Sequence, residues 1–400
     1  MTLKPLSASF RKPVYLDYAA TTPVAPEVAI RMAECLTFGG TFANPASRSH
    51  LFGWQAEEKV ETARHQVADL IGADPREIVW TSGATEANNL ALKGAAEEYR
   101  KRHRTGGHIV VSAIEHKAVL DPVSWLAEQG FKVTRLQPGH EGIIAPEAIN
   151  AAIQDDTFLV SIMQVNNELG SINDIKAISA VCKAHGVLMH CDAAQSLGKI
   201  AVNVKELGVD LLSLSAHKFY GPKGIGALYV HRAGNLKVAA QIHGGGHERG
   251  MRSGTLATHQ CVGMGEAAEI AQHVLAEDAL RIASLRDSLW DGIADLPALK
   301  RNGSVSNCVS GILNVAFAQD AQHGCDGEAL LLALRDIAVS SGSACNSASM
   351  SPSYVLKAIG LSDVQAQASL RFSVGRYTTR EEIEFAIEHI RSVVTKLVKA

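Results

Sequence analysis

Several polar side chains in this 400-residue sequence directly follow short apolar segments, an arrangement that could gather them at one site. Lys218 stands out because a lysine beside an apolar strand loses hydration and becomes a better nucleophile toward a carbonyl group. Asp192 follows the apolar run VLMHC, where a carboxylate needs a cationic or N–H partner such as a protonated ring nitrogen. These two residues indicate chemistry on a compound that has both a carbonyl group and a basic ring.

A phosphate site is indicated by the segment TSGATE at 81–86, which follows the apolar run EIVW and opens a helical pattern. The free N–H groups and the positive dipole end of a helix start favour phosphate binding. An ordinary Ser or Thr helix cap is the commoner explanation of such a segment when it is taken alone.

Other apolar runs are followed by His116, Asn167, Gln195 and His217. Taken singly, such residues have ordinary explanations, including a core histidine or an Asx turn after a strand. Taken together with Lys218, they offer a stacking ring, amide groups, donors for phosphate and an amine. Pyridoxal phosphate requires this combination, with a carboxylate for its ring nitrogen, and the sequence therefore predicts pyridoxal phosphate as the cofactor.

The elements that must position these residues alternate between strands and helices from about 77 to 230. The strands are almost uniformly apolar, which predicts a mainly parallel α/β sheet covered by helices on both faces. Ligands of such sheets bind at the carboxyl ends of the strands. From about 256 the pattern changes to a long helix at about 260–296, and a closing helix follows at 380–400, which indicates a smaller second domain.

Composition narrows the class of protein. The 38 Lys and Arg residues nearly balance 41 Asp and Glu residues, so no basic surface for nucleic acid or an anionic membrane is expected. The first 22 residues contain no apolar segment of a signal peptide, and no run of 18 apolar residues occurs anywhere. We therefore expect a cytoplasmic protein that binds neither nucleic acid directly nor a membrane.

Seven cysteines occur without a C-x-x-C pair, which disfavours both a disulfide framework and a cysteine zinc site. Cys182 and Cys191 fall in apolar patterns typical of structural thiols. Cys345 differs because its surroundings, SSGSACNSAS at 340–349, offer almost no apolar side chain to bury it. Gly and Ser favour an exposed loop, so Cys345 is the candidate reactive thiol.

Longer stretches of the sequence resemble one enzyme family. They are, in chain order, YLDYAATTP, FANPASRSH, TSGATEANN, EHKAV, VNNELG, CDAAQS, SAHKFYGPKGIGALY, GGGHERGMRSGT, SSGSACNSAS and RFSVGR. They are similar to the motifs of cysteine desulfurases of the IscS/NifS type, which belong to the class V aminotransferases among the fold-type I pyridoxal-phosphate enzymes. The similarity runs from about residue 14 almost to the end of the chain.

The resemblance implies a fold with two domains. A mainly parallel seven-stranded sheet sandwiched by helices would form a large cofactor-binding domain of residues 25–275. A smaller α+β domain of residues 1–24 and 276–400 would carry the cysteine loop.

The resemblance also implies a role for each site residue. Lys218 would link to the cofactor aldehyde and move the substrate α-proton, and His116 would stack on the ring and act in acid–base steps. Asp192 would hold the ring nitrogen. The remaining implied contacts are Asn167 and Gln195 on the phenolic oxygen side, Ala84, Thr85, Ser215 and His217 on the phosphate, Thr255 on the phosphate of a neighbouring subunit, and Arg371 with Asn44 on the substrate carboxylate.

The implied reaction is the removal of sulfur from L-cysteine. The Cys345 thiolate would attack the substrate sulfur, leaving L-alanine and a Cys345 persulfide. A homodimer would pass the sulfur to acceptor proteins, such as an iron–sulfur scaffold, and to products such as thiolated tRNA. No metal of its own is implied, although Cys345 could serve as a transient iron–sulfur ligand with a scaffold.

Several alternatives share part of this pattern. An aminotransferase, a kynureninase-like hydrolase or a selenocysteine lyase would use most of the same cofactor residues. A protein of another class, a metal-binding component of iron–sulfur assembly, would use His243, His247 and Cys345 as ligands. The spacing of the two histidines suits a metal only on a helix, which the three intervening glycines disfavour. A nucleotide-binding P-loop is excluded because GPKGIG lacks the required spacing.

Overall fold

The computed structural model describes residues 12–232, 236–318, 325–341 and 351–398. Cys345 and most of the predicted cysteine loop lie outside the described residues.

The strands of the described residues, in chain order, are β1 (Val14–Tyr15), β2 (Ile78–Thr81), β3 (His108–Ser112), β4 (Lys132–Leu136), β5 (Thr157–Ser161), β6 (Leu188–Asp192), β7 (Leu211–Ser215), β8 (Gly226–Val230), β9 (Lys300–Asn302), β10 (Ile312–Ala316), β11 (Ile337–Ala338), β12 (Ser340–Ser341) and β13 (Ser369–Ser373). The α-helices are α1 (Pro26–Ala33), α2 (Leu51–Leu70), α3 (Ala84–His103), α4 (Lys117–Glu128), α5 (Pro146–Ala152), α6 (Ile175–Ala184), α7 (Val204–Leu207), α8 (Thr258–Ile293), α9 (Gly327–Ala333), α10 (Tyr354–Ala358), α11 (Asp363–Gln367) and α12 (Arg380–Val398).

A seven-stranded sheet with the order β2-β8-β7-β6-β5-β3-β4 forms the centre of the fold. Strands β4, β3, β5, β6 and β7 pair in parallel, whereas β8 is antiparallel to both of its neighbours. The predicted mainly parallel α/β sheet is confirmed. The antiparallel direction of β8 was not predicted. It follows from the short connection between β7 and β8, since a parallel crossover needs a dozen residues or more.

Both faces of this sheet are buried, which explains why its strands are continuously apolar. Along β3, Ile109 and Val111 pack into a cluster with side chains of α3 and α4. Val110, between them, points to the opposite face and belongs to a different cluster, which also contains Ile149 of α5 and Ile178 of α6. Successive side chains of a strand alternate between faces, so every residue of β3 is covered.

A second sheet with the order β12-β13-β10-β9 is antiparallel throughout. It packs with α12 and the C-terminal half of α8 around a separate apolar cluster that includes Leu289, Phe372 and Ile390. The predicted long and closing helices correspond to α8 and α12. The predicted domain boundaries stay a prediction, and α8 crosses the one at 275/276 as a continuous helix.

The segment from Leu16 to Thr22 connects the two sheets. Leu16 packs in the cluster of the second sheet, and the Ser373 amide donates to its carbonyl at 2.7 Å. Thr22, at the other end of the segment, donates its amide to the His217 carbonyl beside the large sheet at 2.9 Å. The carboxyl edge of the large sheet therefore faces residues of the second sheet. Among the described residues, no helix is both long and apolar enough to cross a membrane.

A buried ion pair holds the loop after β8 onto the large sheet. Arg64 on α2 donates to both carboxylate oxygens of Glu248, at 2.7 and 2.9 Å, and both side chains are almost fully buried. Glu248 also accepts the Trp80 amide of β2 at 2.8 Å. Glu248 lies 184 residues from Arg64 and 168 residues from Trp80 along the chain, so no local sequence pattern indicates these contacts.

We expect Arg64→Met to lower the free energy of unfolding by about 3–5 kcal/mol, because Glu248 would remain as a buried charge without its partner. Urea unfolding followed by circular dichroism measures this loss. Arg380→Met is the control, since its pair with Glu384 is exposed and is expected to contribute less than about 1 kcal/mol. Similar losses in the two variants would contradict the prediction.

Candidate active site

A cavity of about 540 Å³ lies at the carboxyl edge of the large sheet. The structure brings most of the residues singled out from the sequence to this cavity. They are Ala84, Thr85, His116, Asn167, Asp192, Gln195, Ser215, His217, Lys218 and Arg371.

Lys218 lies in a single 3₁₀ turn, Ala216–Lys218, directly after β7. Its Nζ donates to the carbonyls of Ala19 and Ala20, each at 2.7 Å. The side chain is thus held at the cavity by backbone oxygens of the Leu16–Thr22 segment.

Asp192 is the last residue of β6 and is buried. One carboxylate oxygen accepts from Asn88 Nδ2 at 2.7 Å, and the other accepts from the Ala194 amide at 2.9 Å. Asn88 lies on α3, and the sequence analysis did not identify it. Its place in the motif TSGATEANN, one turn beyond the predicted phosphate site, was the only available signal.

His116 caps the N-terminus of α4, as its position at a helix start predicted. Its Nδ1 accepts from the Ala118 amide at 3.1 Å, which leaves the proton of a neutral ring on Nε2. Burial lowers the pKa of His116, the nearby Lys218 lowers it further, and Asp192 opposes the shift. His116 is therefore a neutral ring at physiological pH.

The start of α3 is open, as a phosphate site requires. Gly83 is the N-cap and makes no side-chain cap, so the Ser or Thr cap considered above does not occur. Gly83 has φ +154°, a backbone conformation that residues other than glycine rarely adopt. Glu86, in the first turn, accepts from Arg252 Nε and from the Ser82 amide, each at 2.8 Å.

Burial, hydrogen bonds and nearby charges shift the pKa values of two groups near this helix start, Glu86 and His217. Burial raises the pKa of Glu86, but the hydrogen bonds from Arg252 and Ser82 outweigh burial and lower it overall. His217 lies beside Thr21, with its Nδ1 at 3.1 Å from the hydroxyl oxygen. Burial, and then the positive charge of Lys218, lower the pKa of His217 to about 4. His217 is therefore a neutral hydrogen-bonding group here.

Arg371 reaches the cavity from β13 of the second sheet. Its Nη2 donates to Asp17 at 2.8 Å and to Ser340 at 2.9 Å, and its Nη1 donates to the Asn167 carbonyl at 2.7 Å. Its buried Nε has no partner among the described residues. Asp17 and Ser340 are positioning partners that the sequence analysis missed, because each lies in a different part of the chain.

The side-chain amides of Asn167 and Gln195 differ in their hydrogen-bond partners. The side-chain oxygen of Asn167 is buried and has no partner within the described parts of the chain. Gln195 donates through Nε2 to the Ala19 carbonyl at 2.8 Å, and its Oε1 accepts from Lys199.

Three predicted site residues are not part of this cavity as described. Asn44 is exposed, accepts the Ala46 amide at 2.9 Å and does not line the cavity. Thr255 is exposed in the loop before α8 and does not line the cavity either. Cys345 lies outside the described residues. The roles predicted for these three residues stay predictions.

The glycine run between His243 and His247 is not helical. Gly244, Gly245 and Gly246 all have positive φ, as expected for a loop rather than for a helix that presents two metal ligands. Across residues 12–232, 236–318, 325–341 and 351–398, no group of three or more His, Cys, Asp or Glu side chains could hold a metal ion.

Comparison with known proteins identifies the family. The model of the class-V aminotransferase family matches residues 14–385. The cysteine desulfurase IscS of Serratia proteamaculans (strain 568) is 56% identical over 385 residues, covering 96% of this chain and 93% of the relative. The cysteine desulfurase IscS of Shewanella baltica (strain OS223) is 58% identical with the same coverage.

Solved structures agree with these relatives. A NifS-like protein superposes with a TM-score of 0.88 at 35% identity, covering 96% of this chain and all of that one. A structure described as SspA in complex with cysteine gives a TM-score of 0.80 at 40% identity, covering 92% of this chain and all of that one. The chain therefore belongs to the class-V aminotransferase family and, within it, to the cysteine desulfurases of the IscS/NifS type.

Proposed function

We propose that this cysteine desulfurase uses pyridoxal phosphate to remove sulfur from L-cysteine, leaving L-alanine and a persulfide on Cys345. One observation carries the proposal: an amine, a carboxylate and a guanidinium, from Lys218, Asp192 and Arg371, line the same cavity. These are the groups needed for an aldehyde, a ring nitrogen and an amino-acid carboxylate.

The residues of the cavity suit pyridoxal phosphate. Lys218 would hold its aldehyde, Asp192 its ring nitrogen, and the neutral ring of His116 would stack on it. Asn167 and Gln195 would contact the phenolic oxygen side. The buried Asn167 side-chain oxygen, which lacks a partner in the described chain, supports this fit.

The phosphate would lie at the open start of α3. The groups proposed to hold it are Ala84, Thr85, Ser215 and His217, with Thr255 of a second copy in a homodimer. Because the helix start has no side-chain cap, its N–H groups are available to an anion. When bound, the cofactor supplies an electron sink for the electrons released as the substrate α-proton leaves.

The substrate carboxylate would bind Arg371. Asp17, Ser340 and the Asn167 carbonyl fix the guanidinium plane, and its buried Nε–H remains as a donor. A guanidinium can bind a carboxylate with two parallel hydrogen bonds, and here the Nε–H would be joined by an Nη2–H that the substrate takes over from Asp17 or Ser340. Asn44 is proposed to assist when the substrate is present.

Proton transfer would fall to Lys218 and His116. Lys218 takes the α-proton of L-cysteine, and its carbonyl partners Ala19 and Ala20 keep the amine directed to one place. His116 carries its proton on Nε2, because Nδ1 accepts from the Ala118 amide. The neutral histidine can therefore donate a hydrogen bond through Nε2–H, and it would act as an acid only after its ring has gained a proton.

Sulfur transfer would use the Cys345 thiolate. A bond forms between Cys345 Sγ and the substrate Sγ while the substrate Cβ–Sγ bond breaks. The electron pair of that bond stays with the carbon skeleton, and Cβ gains a proton to become the methyl group of alanine. The sulfur remains on Cys345 as a persulfide.

Chain length supports this role for Cys345. Ser341 lines the cavity, and Cys345 follows it by four residues, a span of at most about 14 Å at about 3.6 Å per residue. On the other side, Ser353 donates to Glu168, another cavity residue, at 2.6 Å. The chain that carries Cys345 thus begins and ends within reach of the cavity.

The setting that we propose for this reaction is a cytoplasmic homodimer that passes sulfur to acceptor proteins, such as an iron–sulfur scaffold, with Cys345 as a transient cluster ligand. Thiolated tRNA would be a downstream product, without direct nucleic-acid or membrane binding. We also propose that residues 25–275 form the cofactor domain and that residues 1–24 and 276–400 form the smaller one. The family relationship supports desulfuration over the aminotransferase, hydrolase, selenocysteine lyase and metal-binding alternatives.

We expect Cys345→Ala to bind L-cysteine but release no alanine in a single turnover, because the sulfur has no acceptor. Persulfide mapping by mass spectrometry locates the sulfur in the unmodified protein. Cys308→Ala, at a partly buried thiol, is the control and should retain the unmodified rate. Alanine release by Cys345→Ala at that same rate would show that Cys345 is not the nucleophile.

Lys218→Ala should lose both alanine release and the borohydride-reducible link to the cofactor, because no amine remains to bond the aldehyde. Mass spectrometry of the reduced protein measures the link. Lys223→Ala, at another lysine lining the cavity, should retain the link. A reducible link of normal yield in Lys218→Ala would refute the assignment.

We expect Arg371→Lys to raise KM for L-cysteine by about ten-fold or more, because an ammonium cannot make the two parallel hydrogen bonds that a guanidinium makes to a carboxylate. Steady-state kinetics with L-cysteine measures the change. Arg281→Lys, whose side chain donates to the Thr378 carbonyl away from the cavity, should alter KM by less than about two-fold. An unchanged KM in Arg371→Lys would contradict its role as the carboxylate site.

Asn88→Asp tests whether the hydrogen bond from Asn88 maintains the function of Asp192. Two carboxylates so close would share a proton, which weakens the negative charge available to a ring nitrogen. We expect kcat to fall about ten-fold or more, whereas Asn89→Asp, the same change at the next residue, should cost less than about three-fold. If the two substitutions lower kcat equally, Asn88 does not act through Asp192.

A further inference from the structure

A second lysine, Lys199, lies behind the proposed active site and is not used in the reaction described above. It follows β6 in the turn that also carries Gln195, and its side chain is partly buried. Lys199 lines a small cavity of about 20 Å³ together with Ala19 and Lys218. Ala19 and Lys218 also line the large cavity, so these two residues lie between the large cavity and the small one that Lys199 lines.

Lys199 is connected to the site by a short chain of hydrogen bonds. Its Nζ donates to Gln195 Oε1, and Gln195 Nε2 donates to the Ala19 carbonyl at 2.8 Å. The same carbonyl accepts from Lys218 Nζ at 2.7 Å. Lys218 and the Gln195 amide thus share one backbone oxygen, and Lys199 is linked to it through Gln195.

The direction of these hydrogen bonds fixes the orientation of the Gln195 amide. A lysine amine keeps N–H donors whether or not it is protonated, so it holds the amide oxygen toward itself. The NH₂ group must then lie toward Ala19, where one N–H is used and the second remains. A flipped amide would place its oxygen against the Ala19 carbonyl, with two acceptors facing each other.

Keeping an amine at this place is costly. Burial lowers the pKa of Lys199 well below its usual value, and the positive charges of Lys218 and Arg371 lower it further. An apolar side chain would fill the same space without that cost. The presence of a lysine here is explained if its hydrogen bond to Gln195 is needed.

We propose that Lys199 is a positioning residue that fixes the Gln195 amide at the active site by donating to its side-chain oxygen. The proposal rests on the proposed function in one respect, namely that Gln195 contacts the bound cofactor. Lys199 itself touches neither substrate nor cofactor in this account.

A double-variant cycle with pyridoxal phosphate as the probe tests the proposal. Lys199→Met keeps the length and apolar bulk of the side chain but removes its donors, and Gln195→Ala removes the amide. Lys205→Met, at an exposed lysine on α7, is the matched control. Each full-length variant is titrated with the cofactor, and both its dissociation constant and its absorption spectrum are recorded.

We expect Lys199→Met to raise the dissociation constant about ten-fold, the effect of losing roughly 1.4 kcal/mol. The absorption maximum should move in the same direction as in Gln195→Ala. Adding Lys199→Met to Gln195→Ala should change the dissociation constant by less than about two-fold, because the amide that Lys199 acts on is already absent. Lys205→Met should match the unmodified protein.

Two results would overturn the proposal. One is a dissociation constant and spectrum of Lys199→Met equal to those of the unmodified protein. The other is a ten-fold rise in the cofactor dissociation constant when Lys199→Met is added to Gln195→Ala, which would mean that Lys199 does not act through the Gln195 amide. Lys199→Leu replaces Lys199→Met in the cycle if the latter does not fold by circular dichroism.

The cycle does not depend on desulfuration. If the unmodified protein binds the cofactor but releases no alanine from L-cysteine, the proposed function fails while the binding cycle still decides the role of Lys199.

Discussion

The Ala19 carbonyl is the contact on which the active site depends, because it holds Lys218 and Gln195 together. Ala19 belongs to the Leu16–Thr22 segment, which is bonded to β13 at one end and to the His217 carbonyl at the other. The amine from the large sheet therefore keeps a fixed position relative to Arg371 on the second sheet. Any shift between the two sheets would move the segment and misplace both the proposed nucleophilic amine and the proposed carboxylate site.

Burial disfavours the charged form of two ionisable groups close to this site, His190 and Glu115. Burial lowers the pKa of His190 to about 4, and the ring bridges the Ser161 and Ser213 hydroxyls beneath the site. Burial also raises the pKa of Glu115 well above its usual value, which disfavours a negative charge at that carboxyl group. The charges that do lie at the cavity include those of Asp192 and Arg371, and Arg371 is paired with Asp17.

The sequence predicted what depends on local pattern. Apolar runs identified most strands of the large sheet, and the polar residues after them identified the site, because parallel strands bring their carboxyl ends to one edge. Asp17 and Asn88 were missed because they act through partners 354 and 104 residues away. The cap at Gly83 was ambiguous for another reason: only the backbone shows that the neighbouring Ser and Thr hydroxyls leave the helix start open. The roles predicted for Asn44 and Thr255 stay predictions, because neither residue lines the cavity.

The partners of the two buried ions explain how the site can select an amino acid. Asp192 is held by a neutral amide from Asn88, so its negative charge remains available to oppose a positive ring nitrogen. Arg371 is held by a carboxylate, Asp17, which balances its charge while no substrate is present. A buried guanidinium without such a partner would carry a cost of several kcal/mol, whereas one that is fully enclosed would have no donor left for substrate. Arg371 avoids both outcomes because its Nε–H has no partner in the described chain. With the roles proposed above for Arg371 and Lys218, the site would favour a ligand that brings a carboxylate to Arg371 and an amino group to the region of Lys218, as an α-amino acid does.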